Sequence, residues 1–328
     1  MKAPFAYVVN SNSQDVSVID TATNQVVATV SLGRGLRPGV ASPDGKHVYV
    51  PDSCSDMIWV IDTASNEAVR TGIQVGRAPH SIAVSPDGKT GYVTNLGAGT
   101  VSVIDTAENA VVSTIQVGPN PKGVTFAVEG KRAYVARANR GDGSGGPGVG
   151  AVVVVDTANQ SIVDTITIDA LFDLPSAIAI TPDGKQVYLS DGSAINVLDT
   201  ASNKIVQRVF PKIEDFSQGQ VVVSGGMAIT PDGKFLYATL TRLSNRTQSF
   251  VWVIDTTTNT VVLPELWSGT SGVAGLAVTP DGKSVYVATQ RHEVFFDDVL
   301  VLDATTNTVV TTVRVRTAPV GVAMAPPH

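Results

Sequence analysis

His80 is the residue in this chain best suited to acid–base chemistry, because an imidazole titrates near neutral pH. It stands in the segment Pro79-His80-Ser81-Ile82, with two cations, Arg37 and Lys122, spaced almost evenly before and after it. One histidine between two cations suits the binding of an anion, or a reaction in which negative charge develops. Asp52 is the acid that would complete the set, as a catalytic partner of His80 or as a plain salt-bridge partner of His80 or Arg37. Asn95, Arg137 and Asp191 are further polar candidates for ligand contact. His292 and Glu293, with Asp297 and Asp298 close behind, form a second polar cluster. Adjacent side chains on an extended segment point in opposite directions, so this pair makes a poor joint metal site. Phe295 and Phe296 are candidates for lining a ligand pocket. Cys54 is a nucleophile only if a base activates it, and His80 is the one candidate base. No residue is assigned as a metal ligand, and the cofactor is left open, a divalent ion being the one considered.

These residues lie far apart in the chain, so something must bring them together. A repeat does so. A strand ending Val-Ile-Asp or a close variant recurs, with its terminal acid at Asp20, Asp62, Asp105, Asp156, Asp199, Asp255 and Asp303. A period of roughly 40–50 residues, with four short strands per unit, is the signature of a β-propeller. In the third unit Pro79–Ser85 reads as the innermost strand, Thr90–Asn95 as the second, Thr100–Ile104 as the third and Ala110–Val117 as the outer one. Pro86-Asp87-Gly88-Lys89 and Asp105-Thr106-Ala107-Glu108-Asn109 are the turns between them. The strands are rich in Val, Ile and Thr, and near-continuous apolar runs are expected where neighbouring blades cover both faces of a sheet.

The expected fold is therefore all-β: a seven-bladed propeller with four antiparallel strands per blade, filling residues 1–328 as a single domain. The chain starts on a second strand, Phe5–Asn10, and ends on a first one, Pro319–Met324. The last segment is expected to complete the first blade and close the ring without leaving an edge.

Composition narrows the function. With 43% apolar residues the core is ample, and a net charge of −6 argues against a surface that grips nucleic acid throughout. A lone cysteine rules out an intrachain disulfide. No stretch of about 18 apolar residues exists to span a bilayer. The expected protein is a monomer, cytoplasmic if Met1 is native and periplasmic or secreted if a targeting segment was removed.

Tyr92-Val93-Thr94-Asn95 and its copies give the chain a resemblance to the YVTN repeat family of seven-bladed propellers, similar to the YncE-type and surface-layer proteins and more distantly to streptogramin lyases and propeller lactonases. The resemblance covers essentially the whole chain and implies the fold far more firmly than a chemistry. Pro79-His80-Ser81-Ile82 looks like the segment that carries the catalytic histidine of the lyases, which implies His80 as general base. An acid near the end of a second strand there helps hold a magnesium ion, and Asp52 is the nearest such acid here. Arg37 and Lys122 beside a single histidine depart from that pattern. A YncE-type relative binds single-stranded DNA. By that resemblance Arg140, Arg242 and Arg246 would be the basic contacts, but with only 6% aromatic residues this chain has few rings for bases to stack on.

One rim is expected to be plain and the other variable. The Pro-Asp-Gly-Lys turns, at 43–46, 86–89, 182–185, 231–234 and 280–283, share the plain rim with the Asp-Thr-x-x-Asn turns. Their Asp and Asn residues are read as turn formers, since such side chains bond their own backbone. Calcium binding is disfavoured there for want of oxygen ligands. The insertions at 138–148, 211–218, 242–248 and 290–298 fall on the other rim, which makes it the candidate binding face. The glycine-rich one lacks the Gly-Lys-Ser/Thr ending of a phosphate loop. On that rim the residue after each crossover proline opens to the channel mouth: Val320, His80, Lys122, Ser176, Gly225 and Ala274, with Arg37 or Pro38 in the second blade and Arg37 favoured. Two readings follow. The first is a propeller binding a small anionic molecule or a protein partner. The alternative is a small-molecule lyase or lactonase-type hydrolase based on His80.

Overall fold

The computed structural model describes residues 4–69, 71–139, 149–169, 177–210, 220–243, 248–269, 272–290 and 296–327. They form seven antiparallel sheets with no helix among them, arranged as a ring. The seven-bladed propeller expected from the repeat is therefore the fold. Phe5–Asn10 pairs with Pro319–Ala325 on one side and Asp15–Asp20 on the other, so the C-terminal strand is the inner strand of blade 1. Inner strands touch their neighbours around the whole circle. In blade 2 the outer strand is broken into two short pieces, Glu67–Ala68 and Ile73–Gln74, both pairing with Met57–Asp62.

The plain rim shows why its turns repeat so closely. The hydroxyl of Ser42, Ser85, Thr181, Thr230 or Thr279 bonds the turn Asp two residues on, at 2.6 Å each. The turn glycine takes a left-handed φ, 76° at Gly88, that favours glycine. It also lies against the turn proline of the preceding blade, as Gly233 does against Pro182. Asn24, Asn66, Asn109, Asn203, Asn259 and Asn307 occupy the left-handed position of the other turn.

That asparagine has a second task. Each blade buries one tyrosine on its second strand: Tyr7, Tyr49, Tyr92, Tyr134, Tyr188, Tyr237 and Tyr286, none more than 1% exposed. Tyr7 donates to Asn66 at 2.6 Å and Tyr237 to Asn307 at 2.7 Å. Tyr188 bonds Asn259 and Tyr286 bonds Asn24 at 2.5 Å. Every one of these bonds joins a blade to the next. Burial pushes the tyrosine hydroxyls up, to about 12 at Tyr237 and Tyr286, so they stay protonated donors. The belt is open along one arc: Tyr92 has no partner, Gln160 taking the asparagine's turn position in blade 4, and Asn109 and Asn203 have unpartnered carbonyl oxygens.

One expectation needs correcting. The three inner strands of a blade are covered on both faces, but the outer strand is not: Val27, Val112 and Val310 are 53%, 60% and 61% exposed. An outer strand has no further strand beyond it, and the blades splay apart at the circumference, so alternate residues face water.

Candidate functional site: the channel mouth

The residues after the crossover prolines owe their position to a β-bulge. In blade 3, Ser81 pairs with Thr94 and Pro79 with Asn95, which leaves His80 as the extra, unpaired residue. Val320 is the extra residue between Gly321 and Pro319 in blade 1. Lys122 falls within the register shift between Pro121 and Val124 in blade 4. Bulges re-aim a side chain where regular pairing would have sent it elsewhere. A left-handed residue precedes each: Ala78 at φ 53°, Asn120 at 49° and Ala318 at 55°. Non-glycine residues adopt this conformation at a cost.

Blade 2 follows the same plan with different residues. Leu36 bridges Asp52 as Pro79 pairs with Asn95, and Gly35 takes the left-handed place at φ 72°. Arg37 therefore stands where His80 stands in blade 3, and Pro38 packs against Gly321 of blade 1. Three basic side chains thus occupy one structural position in three consecutive blades.

Thr94 helps fix them. Its hydroxyl donates to the carbonyl of Lys122 in the next blade at 2.6 Å and accepts from the backbone N–H of Ser81 at 3.1 Å. Thr239 does the same between blades 6 and 7, reaching the Ala274 carbonyl at 2.9 Å. The third residue of the Tyr-Val-Thr-Asn motif is thus a positioning residue for the mouth. The sequence held the motif but not the partner, which belongs to the next blade.

His80 responds to its surroundings. Burial, then Arg37, then Lys122 push its imidazole down to about 4, against a weaker upward pull from the Lys122 backbone. His80 is therefore neutral at pH 7, and its Nδ1 is buried without a hydrogen-bond partner. Among the described residues no carboxylate pairs with Arg37, His80 or Lys122.

The acids expected nearby are engaged elsewhere. Asp52 is fully buried and caps its own loop, accepting from the N–H of Cys54 at 3.0 Å and of Ser55 at 3.1 Å, and from the Trp59 indole at 3.1 Å. Among the described residues it forms no ion pair with His80 or Arg37. Asp191 is equally buried, accepts from Asn196 at 2.9 Å and is ion-paired with Arg208. Asn95 donates to Thr100 and Ser102 at 3.0 and 2.9 Å, within its own blade. Arg137 lies beneath Gly118, where a Cβ would sit 3.2 Å from its guanidinium. These second-strand ends pack under the incoming crossover: a Cβ on Gly33 would fall 2.1 Å from the Asp52 carboxylate. Asp52, Asn95 and Asp191 are thus held by partners within their own blades, and Arg137 packs against Gly118.

Phe296 is 49% exposed and stacks with Arg314 of the outer strand of blade 7, with 5.6 Å from guanidinium to ring. It sits at the periphery. His292, Glu293, Phe295, Arg140, Arg246 and Ser176 lie outside the described residues, and Arg242 is described only in its backbone. Cys54 is exposed, and the structure pairs it with no base.

A magnesium site of the lyase kind does not fit. Among the described residues no cluster of three or more His, Cys, Asp or Glu side chains would hold a metal ion, and two cations flank His80. Among the described residues no helix is long and apolar enough to cross a membrane.

Comparison with known proteins agrees with this architecture. A family model described as YNCE-like beta-propeller matches residues 10–132. Over 128 residues, 39% of this chain, the sequence is 30% identical to the Seven-bladed beta-propeller protein Rv1057 of Mycobacterium tuberculosis. The matched segment spans only 28% of that relative's length. A functionally unknown protein from Desulfotomaculum acetoxidans superposes with a TM-score of 0.72 at 16% identity, covering 99% of both chains. Hydrazine synthase of Kuenenia stuttgartiensis superposes with a TM-score of 0.68 at 21% identity, covering 95% of this chain and 92% of that one. At such identity the two structures speak to the fold alone. Family match, relative and seven-blade ring agree on the fold: the chain is a seven-bladed β-propeller, and its residues 10–132 are similar to the YNCE-like propellers.

Proposed function

We propose that this propeller is a ligand-binding protein that takes a small anion at the channel mouth, held by Arg37, His80 and Lys122. One observation carries the reading: three basic residues stand on equivalent bulges of consecutive blades, and among the described residues no carboxylate answers them. Unanswered cations repel one another, and a bound anion relieves the repulsion. Neutral His80 would add a directed hydrogen bond between the two fixed charges. Calorimetric titration with acetate and with inorganic phosphate tests it. The wild type should bind at least one of the two, and Arg37→Gln with Lys122→Met should abolish the heat. Unchanged binding in the double variant would refute the site.

A lyase or hydrolase reading draws on the same residues. A neutral imidazole with a free nitrogen is a competent base, and Arg37 and Lys122 would stabilise an anionic intermediate. Asp52 has no part in it, because its carboxylate is committed to the loop. This reading ranks second, since among the described residues no carboxylate pairs with the imidazole to orient it. It predicts that His80→Gln removes turnover while leaving anion affinity within a few fold.

A further inference from the structure

Among the described residues, the slots of the mouth carry charge on one side only. The slot that holds Arg37, His80 and Lys122 in blades 2 to 4 holds Val320 in blade 1, Gly225 in blade 6 and Ala274 in blade 7. No other ionisable residue stands on any of the seven inner strands: Val40–Ala41, Pro79–Val84, Pro121–Phe126, Ile178–Ile180, Gln220–Ile229, Gly272–Val278 and Pro319–Ala325 carry only His80 and Lys122, with Arg37 just ahead of the first. The described inner strands therefore form a wall below the mouth that carries no further charge.

The uncharged side is also smooth. A Cβ on Gly226 would lie 2.9 Å from the Gly275 Cα, one on Gly275 would lie 2.7 Å from the Gly321 Cα, and one on Gly321 would meet the Pro38 Cβ at 2.7 Å. Backbone thus touches backbone from blade 6 through blade 7 to blade 1, and Pro38 of blade 2 completes the contact. Such packing excludes larger side chains and their polar groups from that part of the wall. At Gly225, by contrast, a Cβ would meet nothing within 4 Å, so its slot is open space.

We infer that the ligand is a monoanion with an apolar tail, a carboxylate of the aliphatic or aryl acid class, its head at Arg37 and Lys122 and its tail along the uncharged wall of blades 6, 7 and 1. This rests on the anion-binding reading above and goes further by fixing what the rest of the ligand is. A compact polyanion would set its additional charges against a wall with no cation to receive them, and charge left unpaired there is costly. An apolar tail replaces water on that wall at a gain.

The test is a chain-length series of acetate, butyrate, hexanoate and octanoate, with citrate and inorganic phosphate as compact alternatives. Binding is read from the His80 ring resonance, so that only occupancy of the mouth is counted. Affinity should rise roughly fourfold for each buried methylene, and octanoate should exceed citrate. Val320→Thr keeps the shape and adds a hydroxyl, and should weaken octanoate several fold while leaving acetate unchanged. Ala274→Ser repeats the test at a second position. Acetate binding with no dependence on chain length, or citrate binding tighter than octanoate, would overturn the tail and leave the anion site standing. Failure of every anion to move the His80 resonance would overturn both.

Discussion

Replacing Tyr237 by Phe deletes one hydroxyl and leaves the ring packing intact. In the structure that hydroxyl bonds Asn307 at 2.7 Å and approaches the Ala304 carbonyl at 3.3 Å, tying blade 6 to blade 7. A hydrogen bond of this kind contributes about 1 kcal/mol net, and stranding its partner adds to the loss, so Tyr237→Phe should cost about 1–2 kcal/mol. Tyr92→Phe deletes the same atom from the equivalent position of blade 3, where it is buried with no partner. Removing an unsatisfied buried hydroxyl costs nothing and should stabilise by up to about 1 kcal/mol. The two variants should therefore differ by about 2 kcal/mol. Unfolding entropy of about 2.1 cal/mol/K per residue converts this, for 328 residues, into a gap of about 3 °C in Tm. Differential scanning calorimetry of both variants beside the wild type measures it. Equal losses would refute the belt as a set of inter-blade bonds and reduce the tyrosines to packing.

Other outcomes follow from the same geometry. His80 has its pKa lowered from 6.5 to about 4 by burial, Arg37 and Lys122, so the folded protein binds this proton less readily than the unfolded chain. Its contribution to stability is present above pH 6.5 and is lost as the pH falls towards 4, a loss that His80→Gln should remove from urea melts taken across that window. A bound anion favours the imidazolium, so anion affinity should increase between pH 8 and pH 5.5 in wild type and stay flat in His80→Gln, as read by calorimetric titration. Asp52→Ala strands the loop N–H groups of Cys54 and Ser55 and the Trp59 indole, and should destabilise by about 2–4 kcal/mol in denaturant melts. Deleting residues 319–327 removes the strand that closes blade 1 and should abolish the cooperative melt seen by calorimetry.

The ring was legible because its signal is repeated. Seven copies of one strand pattern, with Pro-Asp-Gly turns between them, leave little choice of architecture, and the offset between first and last segments reveals the closure. The alignment of Arg37 with His80 was within reach too, since counting back from Pro43 and Pro86 puts both in the same slot. What stayed hidden depends on partners from other segments. Asp52 reads in the sequence as a partner for His80 or Arg37, but its acceptors are filled by its own loop and by Trp59. Asp191 reads as a ligand contact and is ion-paired with Arg208. The bulge that aims His80 at the mouth arises from pairing with Asn95 and Thr94, and nothing in the strand itself announces it. The tyrosine belt joins residues some 60 to 70 positions apart or, for Tyr286 and Asn24, 262 apart, and so leaves no local trace.

The account turns on whether the cationic arc is a binding site. The most direct measurement is calorimetric titration of a short-chain carboxylate, hexanoate, into the wild type and into the Arg37→Gln, Lys122→Met double variant at pH 7. Each charge-assisted contact contributes roughly 1.5–3 kcal/mol, so losing both should weaken binding by at least about 100-fold. That loss, with an unchanged melting profile, is the result predicted here. Equal affinity in the two proteins would contradict the central claim and leave Arg37, His80 and Lys122 as basic residues of the channel mouth with no binding role.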